Sequence, residues 1–209
     1  MTCDTVMNKK AQTVLEAART IFLTHGFSAA TTDMIQREAG VSKSTVYAHY
    51  ATKEALFVAV IESECAAFME TVQDVRFSPG GLKEVLGRLA RAYLKIILSP
   101  SSLALFRVIV AEATRFPQLA NTFYQAGPGA MNAKVSELLA HAVDSGDMRL
   151  DGVAVTEAAA LFVGLMRGEI QLQTLTHVHA LPTQKQVDRW VGIVVTTFLR
   201  AYGNTGGRS

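Results

Sequence analysis

The stretch FSAATTDMIQREAGVSKSTVYAHYATK, residues 27–53, decides how this chain folds. It reads as two short helices around a tight turn, followed by the start of a third. Gly40 sits where the first of them should end, because glycine takes the left-handed conformation at a helix C-terminus without strain. Val41 plugs the turn, and Ser42 is placed to accept a backbone N–H bond and cap the next helix. That helix shows Lys43, Ser44, Thr45, Tyr47 and His49 within a few residues. So short a helix gains little from a polar face unless something outside the chain contacts it.

The arrangement is a helix-turn-helix. It resembles the TetR/AcrR family of bacterial transcription regulators. The likeness rests on Gly26-Phe27, Thr31, Ile35, the run Ala39-Gly40-Val41-Ser42-Lys43-Ser44-Thr45-Val46-Tyr47-Ala48-His49-Tyr50, and Lys53-Glu54-Ala55-Leu56-Phe57. A second stretch, RVIVAEATRFPQLANTFYQAGPGAM (107–131), is similar to the AefR-like C-terminal subfamily. Two positions depart from the family pattern: Gln36, where many relatives carry a small residue, and Asp33, where many carry a basic or polar one. Asp33 would repel a phosphate, so it is not placed on DNA.

The resemblance implies roles for single residues. Lys43, Ser44 and Thr45 reach base edges. Tyr47, His49 and Lys53 hold phosphates, together with Thr31 or Thr32. Base contacts specify and phosphate contacts position, and a lysine opening a helix in the major groove donates to guanine O6 and N7. Tyr50 is expected to pack back on the first helix.

Charge agrees with this reading. The net charge is +2, and the whole excess lies in residues 1–53, which hold six Lys/Arg against four Asp/Glu. Such a local excess is either chance, since two charges are few, or a footprint for phosphates. The length of 209 residues suits one large or two small domains. No apolar run reaches the ~18 residues that span a bilayer, the first residues lack a signal-peptide core, and two cysteines, Cys3 and Cys65, make no disulfide framework. A cytoplasmic protein is expected.

Apolar residues recurring at three and four predict helices outward from the motif. The first spans Lys9 to His25, after a disordered stretch over 1–8. The capped pair follows, with Thr31 or Thr32 as the first cap. A long helix runs from Lys53 to about Val75, broken by RFSPGG (76–81). Helices then cover 82–98, about 100–115, a short piece from Pro117 to Ala126, 131–143, about 153–175 and about 183–202. No segment alternates at period two for long enough to be a strand. The expected fold is all-α, with a three-helix DNA-binding domain over 1–53 and, the short piece from Pro117 left uncounted, a six-helix ligand-binding and dimerisation domain over 54–209.

A regulator needs an input. Phe68, Met69, Tyr93, Phe106, Phe123, Met131, Phe162 and Met166 are candidate walls of a largely apolar effector pocket, since apolar gaps between helices are usual small-molecule sites. Most of these side chains also suit plain core. The last two long helices carry more apolar surface than one face needs. Leu161, Leu165, Val191, Val194, Val195 and Phe198 are the candidate dimer seam, with Gly164, Gly168 and Gly192 allowing close approach; the other reading of the surplus, to which Ile193 and Leu199 also belong, is a fully buried helix pair.

No nucleophile motif, paired-acid motif or phosphate-binding glycine loop is present, so neither an enzyme nor a cofactor is expected. His177 and His179 lack partner ligands at metal spacing, so no metal site is assigned, and Cys65 lies on an apolar stripe that should leave it buried and inert. The expected function is a homodimeric DNA-binding regulator, a repressor released from a palindromic operator by a small apolar effector. The alternatives are a small-molecule-binding helical protein, or an activator without ligand-induced release.

Overall fold

The computed structural model describes residues 3–73, 81–176 and 181–204. Among them are ten α-helices and no strand: α1 (Cys3–Ala29), α2 (Thr32–Ala39), α3 (Lys43–His49), α4 (Lys53–Gln73), α5 (Gly81–Ile97), α6 (Pro100–Glu112), α7 (Pro117–Tyr124), α8 (Ala130–Asp144), α9 (Val155–Thr176) and α10 (Gln184–Tyr202). The all-helical expectation holds. Helix α1 starts at Cys3 rather than Lys9, since nothing between them, neither glycine nor proline, stops a helix. It continues past His25 through Gly26, whose backbone is not helical (φ 79°, ψ 168°). The expected break at 127–129 is instead a π-helical turn, Gln125–Gly129, that carries Pro128 and leads into α8. The expected break over 76–81 lies mostly outside the described residues.

The chain divides into two compact units. One joins Met1–Ala67 with Pro100–Ala126; the other joins Phe68–Ser99 with Gly127–Ser209. The sequence division at Lys53 therefore differs from the packing: the first two-thirds of α4, together with α6 and α7, fold with the helix-turn-helix.

The first unit is built on aromatic rings. Phe22, Phe27 and Phe57 are fully buried, with centroids 4.7 to 5.8 Å apart. Phe116 meets Phe27 edge-on at 4.8 Å. Aromatic pairs in tilted or edge arrangements gain roughly 0.5–1.5 kcal/mol beyond their buried area. Around the rings lie Ile35 of α2, Val46 of α3, Leu56, Val60 and Ile61 of α4, and Leu105, Val108 and Ile109 of α6.

The second unit is mostly aliphatic, with Leu82, Val85, Leu86 and Leu89 of α5 packed with Val187, Val191, Val194 and Val195 of α10 and with α8 and α9. Helix α10 begins with a full capping box: Thr183 accepts from the Gln186 N–H, and the Gln186 side chain accepts from the Thr183 N–H. Its far end is tied down by backbone bonds, Arg149 N–H to Tyr202 O at 2.8 Å and Asn204 N–H to Asp147 O at 3.0 Å. Helix α9 breaks its regular geometry at Gly168 (φ 28°, ψ −142°). A Cβ there would lie 2.8 Å from the Trp190 ring, and the Trp190 indole N–H donates to Met166 O at 2.9 Å. No single described helix is long and apolar enough to cross a membrane.

Candidate nucleic-acid interface

The reading head is held by caps, as its sequence predicts. Thr31 has extended backbone geometry, and its hydroxyl accepts from the Met34 N–H at 3.2 Å, opening α2. Gly40 closes α2 in the left-handed region (φ 64°, ψ 32°), where its N–H reaches Arg37 O and the next N–H, of Val41, reaches Gln36 O. Ser42 then caps α3 by accepting from the Thr45 N–H at 3.2 Å. The same hydroxyl lies 2.8 Å from both Ser44 Oγ and Thr45 Oγ1. Three adjacent hydroxyls thus form one hydrogen-bonded cluster at the start of the helix.

Helix α3 has one buried side chain, Val46. Lys43, Ser44, Thr45, Tyr47 and His49 stand outward or at the margin. Tyr47 is 46% exposed, and its hydroxyl lies 3.3 Å from Thr32 Oγ1, so α2 and α3 present these two groups together. Tyr50 turns back as expected: it packs on the core of the first unit, its hydroxyl 3.5 Å from Ala11 O, and burial pushes its pKa up.

Both candidate lysines have partners inside the protein. The Lys53 ammonium donates to Phe27 O at 2.9 Å and Ala30 O at 3.1 Å and sits 4.5 Å over the Phe27 ring. It closes carbonyls left open after the Gly26 irregularity, so two of its three donors are used inside the protein. Lys43 lies 2.9 Å from Asp33 Oδ1, both groups about half exposed. The hydrogen bond and charge of Asp33 raise the pKa of Lys43, which keeps the amine protonated. Sequence reasoning excluded Asp33 from the site. Ten residues separate the pair, and only the turn geometry brings them together.

The eight candidate pocket residues fall into two groups in different compact units. Phe106 and Phe123 pair edge-on in the first, centroids 6.1 Å apart. In the second, Phe68 packs on Tyr93 at 5.7 Å, Met131, Phe162 and Met166 are fully buried core, and Met69 packs against that core. The second unit also holds a cavity of about 290 Å³ lined by Arg91, Leu94, Lys95, Leu98, Leu181 and Val187 among others, none of the eight.

The expected seam needs a correction. Val191, Val194, Val195 and Phe198 are at most 3% exposed within the single chain. They hold α10 against its own unit and leave no surface for a partner. Leu161 stays outward at 45%, Leu165 is half-buried, and Ile193, part of the same apolar surface but outside the six seam candidates, is 49% exposed. The missed signal is its register: Ile193 lies off the 187-191-194-198 stripe, so it projects from the other side of the helix. Gly164 and Gly192 are exposed beside these residues.

Among the described residues no cluster of three or more metal-ligating side chains exists; His177 and His179 lie outside those residues. Cys65 is a buried free thiol whose pKa is pushed up to about 11, by burial first and by the Glu64 charge second. So protonated a sulfur is a poor nucleophile.

Comparison with known proteins finds two matching family models, one in each part of the sequence. Residues 14–60 match the model for bacterial regulatory proteins of the tetR family. Residues 84–204 match the model for the C-terminal domain of AefR-like transcriptional repressors. The transcriptional repressor AcnR of Corynebacterium efficiens is 36% identical over 75 residues, which is 36% of this chain and 37% of AcnR. The transcriptional regulator UidR of Escherichia coli is 32% identical over 111 residues, 51% of this chain and 53% of UidR. These matches thus span from about a third to about half of the relatives' own length. The solved structure of the flavonoid-responsive regulator FrrA superposes with a TM-score of 0.81 at 34% identity, covering 95% of this chain and all of FrrA.

Proposed function

The chain belongs to the TetR family of bacterial transcriptional regulators, and on that premise we propose that it is a homodimeric repressor released from its operator by a small, apolar, aromatic effector. The family consists of DNA-binding regulators rather than enzymes. The observation that carries the DNA reading is α3 itself: seven residues, one of them buried, with Lys43, Ser44 and Tyr47 exposed and Thr45 and His49 at the margin of a helix fixed by the Ser42 cap. Such a surface has no internal use and suits the major groove.

Within it Lys43, Ser44 and Thr45 take the base edges, while Tyr47 and His49, with Thr31 or Thr32, take the phosphates. Lys53 acts chiefly by locking the carbonyls behind the reading head, with one donor left over for a phosphate. Two reading heads require two chains, and a symmetric pair reads a (pseudo)palindromic site. Leu161 and Leu165 of α9 and Ile193 of α10, beside Gly164 and Gly192, are the seam that fits the exposed apolar surface.

Support for the effector class comes from FrrA, described as flavonoid-responsive and 34% identical over nearly the whole chain, and from the aromatic pair Phe106–Phe123 in the AefR-like stretch. An effector releases the operator only if it binds the DNA-incompetent state more tightly. Electrophoretic retardation of the upstream DNA by the purified full-length protein, titrated with a planar flavonoid, tests both halves. Retarded DNA at low salt that is freed by the flavonoid is the expected result. No retardation removes the operator reading, and retardation indifferent to flavonoids removes this effector class.

A further inference from the structure

We infer that Asp33 is a specificity-determining residue of the reading head: by pairing with Lys43 it withholds that cation from non-specific phosphates and holds it in register for a base. The inference rests on the assignment of Lys43 to base reading.

The geometry supplies the argument. Lys43 is the first residue of α3, and its ammonium lies 2.9 Å from Asp33 Oδ1 on the first turn of α2. Asp33 is itself anchored from behind, since Arg37 Nε donates to Asp33 O at 3.1 Å and the Thr31 cap fixes the turn it stands on. A lone lysine is a compact charge on a flexible stem, attracted to any phosphate it can reach. Beside the carboxylate, on a backbone held by Arg37, the pair carries no net charge, so a random duplex gains little from it. Only one of the three ammonium donors faces Asp33. The other two remain for the O6 and N7 acceptors of a guanine, from an amine already held in place, which lowers the ordering cost of the contact. Elsewhere such a pair would be a minor surface contact, because exposed ion pairs contribute little to stability. Here it joins the only two helices of the reading motif, at the residue that opens the reading helix.

The test uses full-length protein. A selection from random duplexes defines the preferred duplex for the parent, Asp33→Asn, Lys43→Ala and the double variant. Fluorescence anisotropy then measures affinity for that duplex and for a scrambled one between ~50 and ~200 mM salt. Asn keeps the size of the side chain and removes its charge. Asp33→Asn should bind the scrambled duplex more tightly and steepen its log–log salt slope by about 0.9 per subunit. Its preferred-to-scrambled ratio should fall by about tenfold. In the Lys43→Ala background the same substitution should leave that ratio unchanged, because Asp33 acts through Lys43.

An Asp33→Asn protein with the parent's slope and ratio overturns the inference, as does an equal fall of the ratio with and without Lys43. A Lys43→Ala protein that selects the parent's motif overturns the base-reading assignment instead, and the inference falls with it. A purely structural role for Asp33 would lower binding to both duplexes alike and leave slope and ratio where they were.

Discussion

Helices α3 and α10 are opposite solutions to the same problem. Helix α3 buries one side chain, Val46, and is held at its ends by Ser42 and by the Tyr50 N–H on Val46 O. Helix α10 buries five, Val187, Val191, Val194, Val195 and Phe198, along one continuous stripe. The first leaves most of its surface outward, and caps replace the packing it gives up. The second is fixed by its interior, which leaves its outer face free to vary. A polar outward face therefore means different things in the two places. On α3 it is the surface proposed to read DNA; on α10 an apolar residue outward, Ile193, is the feature on which the proposed seam rests.

The largest effect separates neighbours on α10. Val194→Asp should cost roughly 3–5 kcal/mol or more by burying an unpaired carboxylate. The expected observation is an unfolded second unit by near-ultraviolet circular dichroism. Ile193→Asp, one residue on, should leave that signal and the melting temperature nearly unchanged yet shift the protein to monomer in sedimentation at about micromolar concentration, since charges face each other at a symmetric contact. A dimeric Ile193→Asp protein would move the seam elsewhere.

Next in size is Val46→Ala. It truncates the single buried side chain of α3, at a cost of about 2 kcal/mol by the scale of aliphatic truncations, and should loosen this helix before the rest of the first unit. Hydrogen exchange at residues 45–49 rising well ahead of exchange in α1 is the expected pattern. Uniform loss across the unit would mean that α3 is less independent than its one buried residue suggests.

The smallest is Ser42→Ala. Loss of the cap should destabilise α3 by about 1 kcal/mol and release Ser44 and Thr45 from their shared hydroxyl, so operator affinity should fall more than the melting temperature does. The converse, a clear fall in melting temperature with unchanged operator binding, would show that the cap serves the fold rather than the reading surface.

What could be read without coordinates were the features fixed within a few residues. Thr31, Gly40, Ser42 and Thr183 act within four positions of themselves, and each helix start or stop they mark is where the sequence puts it, to within a residue or two. The polar, outward side chains of α3 are legible for the same reason. Illegible were features that depend on distant chain. Lys53 finds its carbonyls 23 and 26 residues back, and nothing near Lys53 announces them. The Asp33–Lys43 pair crosses a turn. On α10 an excess of apolar residues was plain, but the number of faces they occupy depends on which other helices arrive. That made Val194 look like a surface residue and hid Ile193.

The irregular turn at Gly168 has a practical consequence. Breaking α9 there exposes Met166 O, and the indole of Trp190 takes it while its ring fills the space a side chain at 168 would need. The chain has a single tryptophan, so all of its intrinsic indole emission originates at this one bend. Any event that straightens α9 or slides α10 along it must break the indole hydrogen bond and change the colour of that emission. The protein thus carries its own optical strain gauge between α9 and α10, readable in unlabelled solution while DNA and small molecules are added in turn.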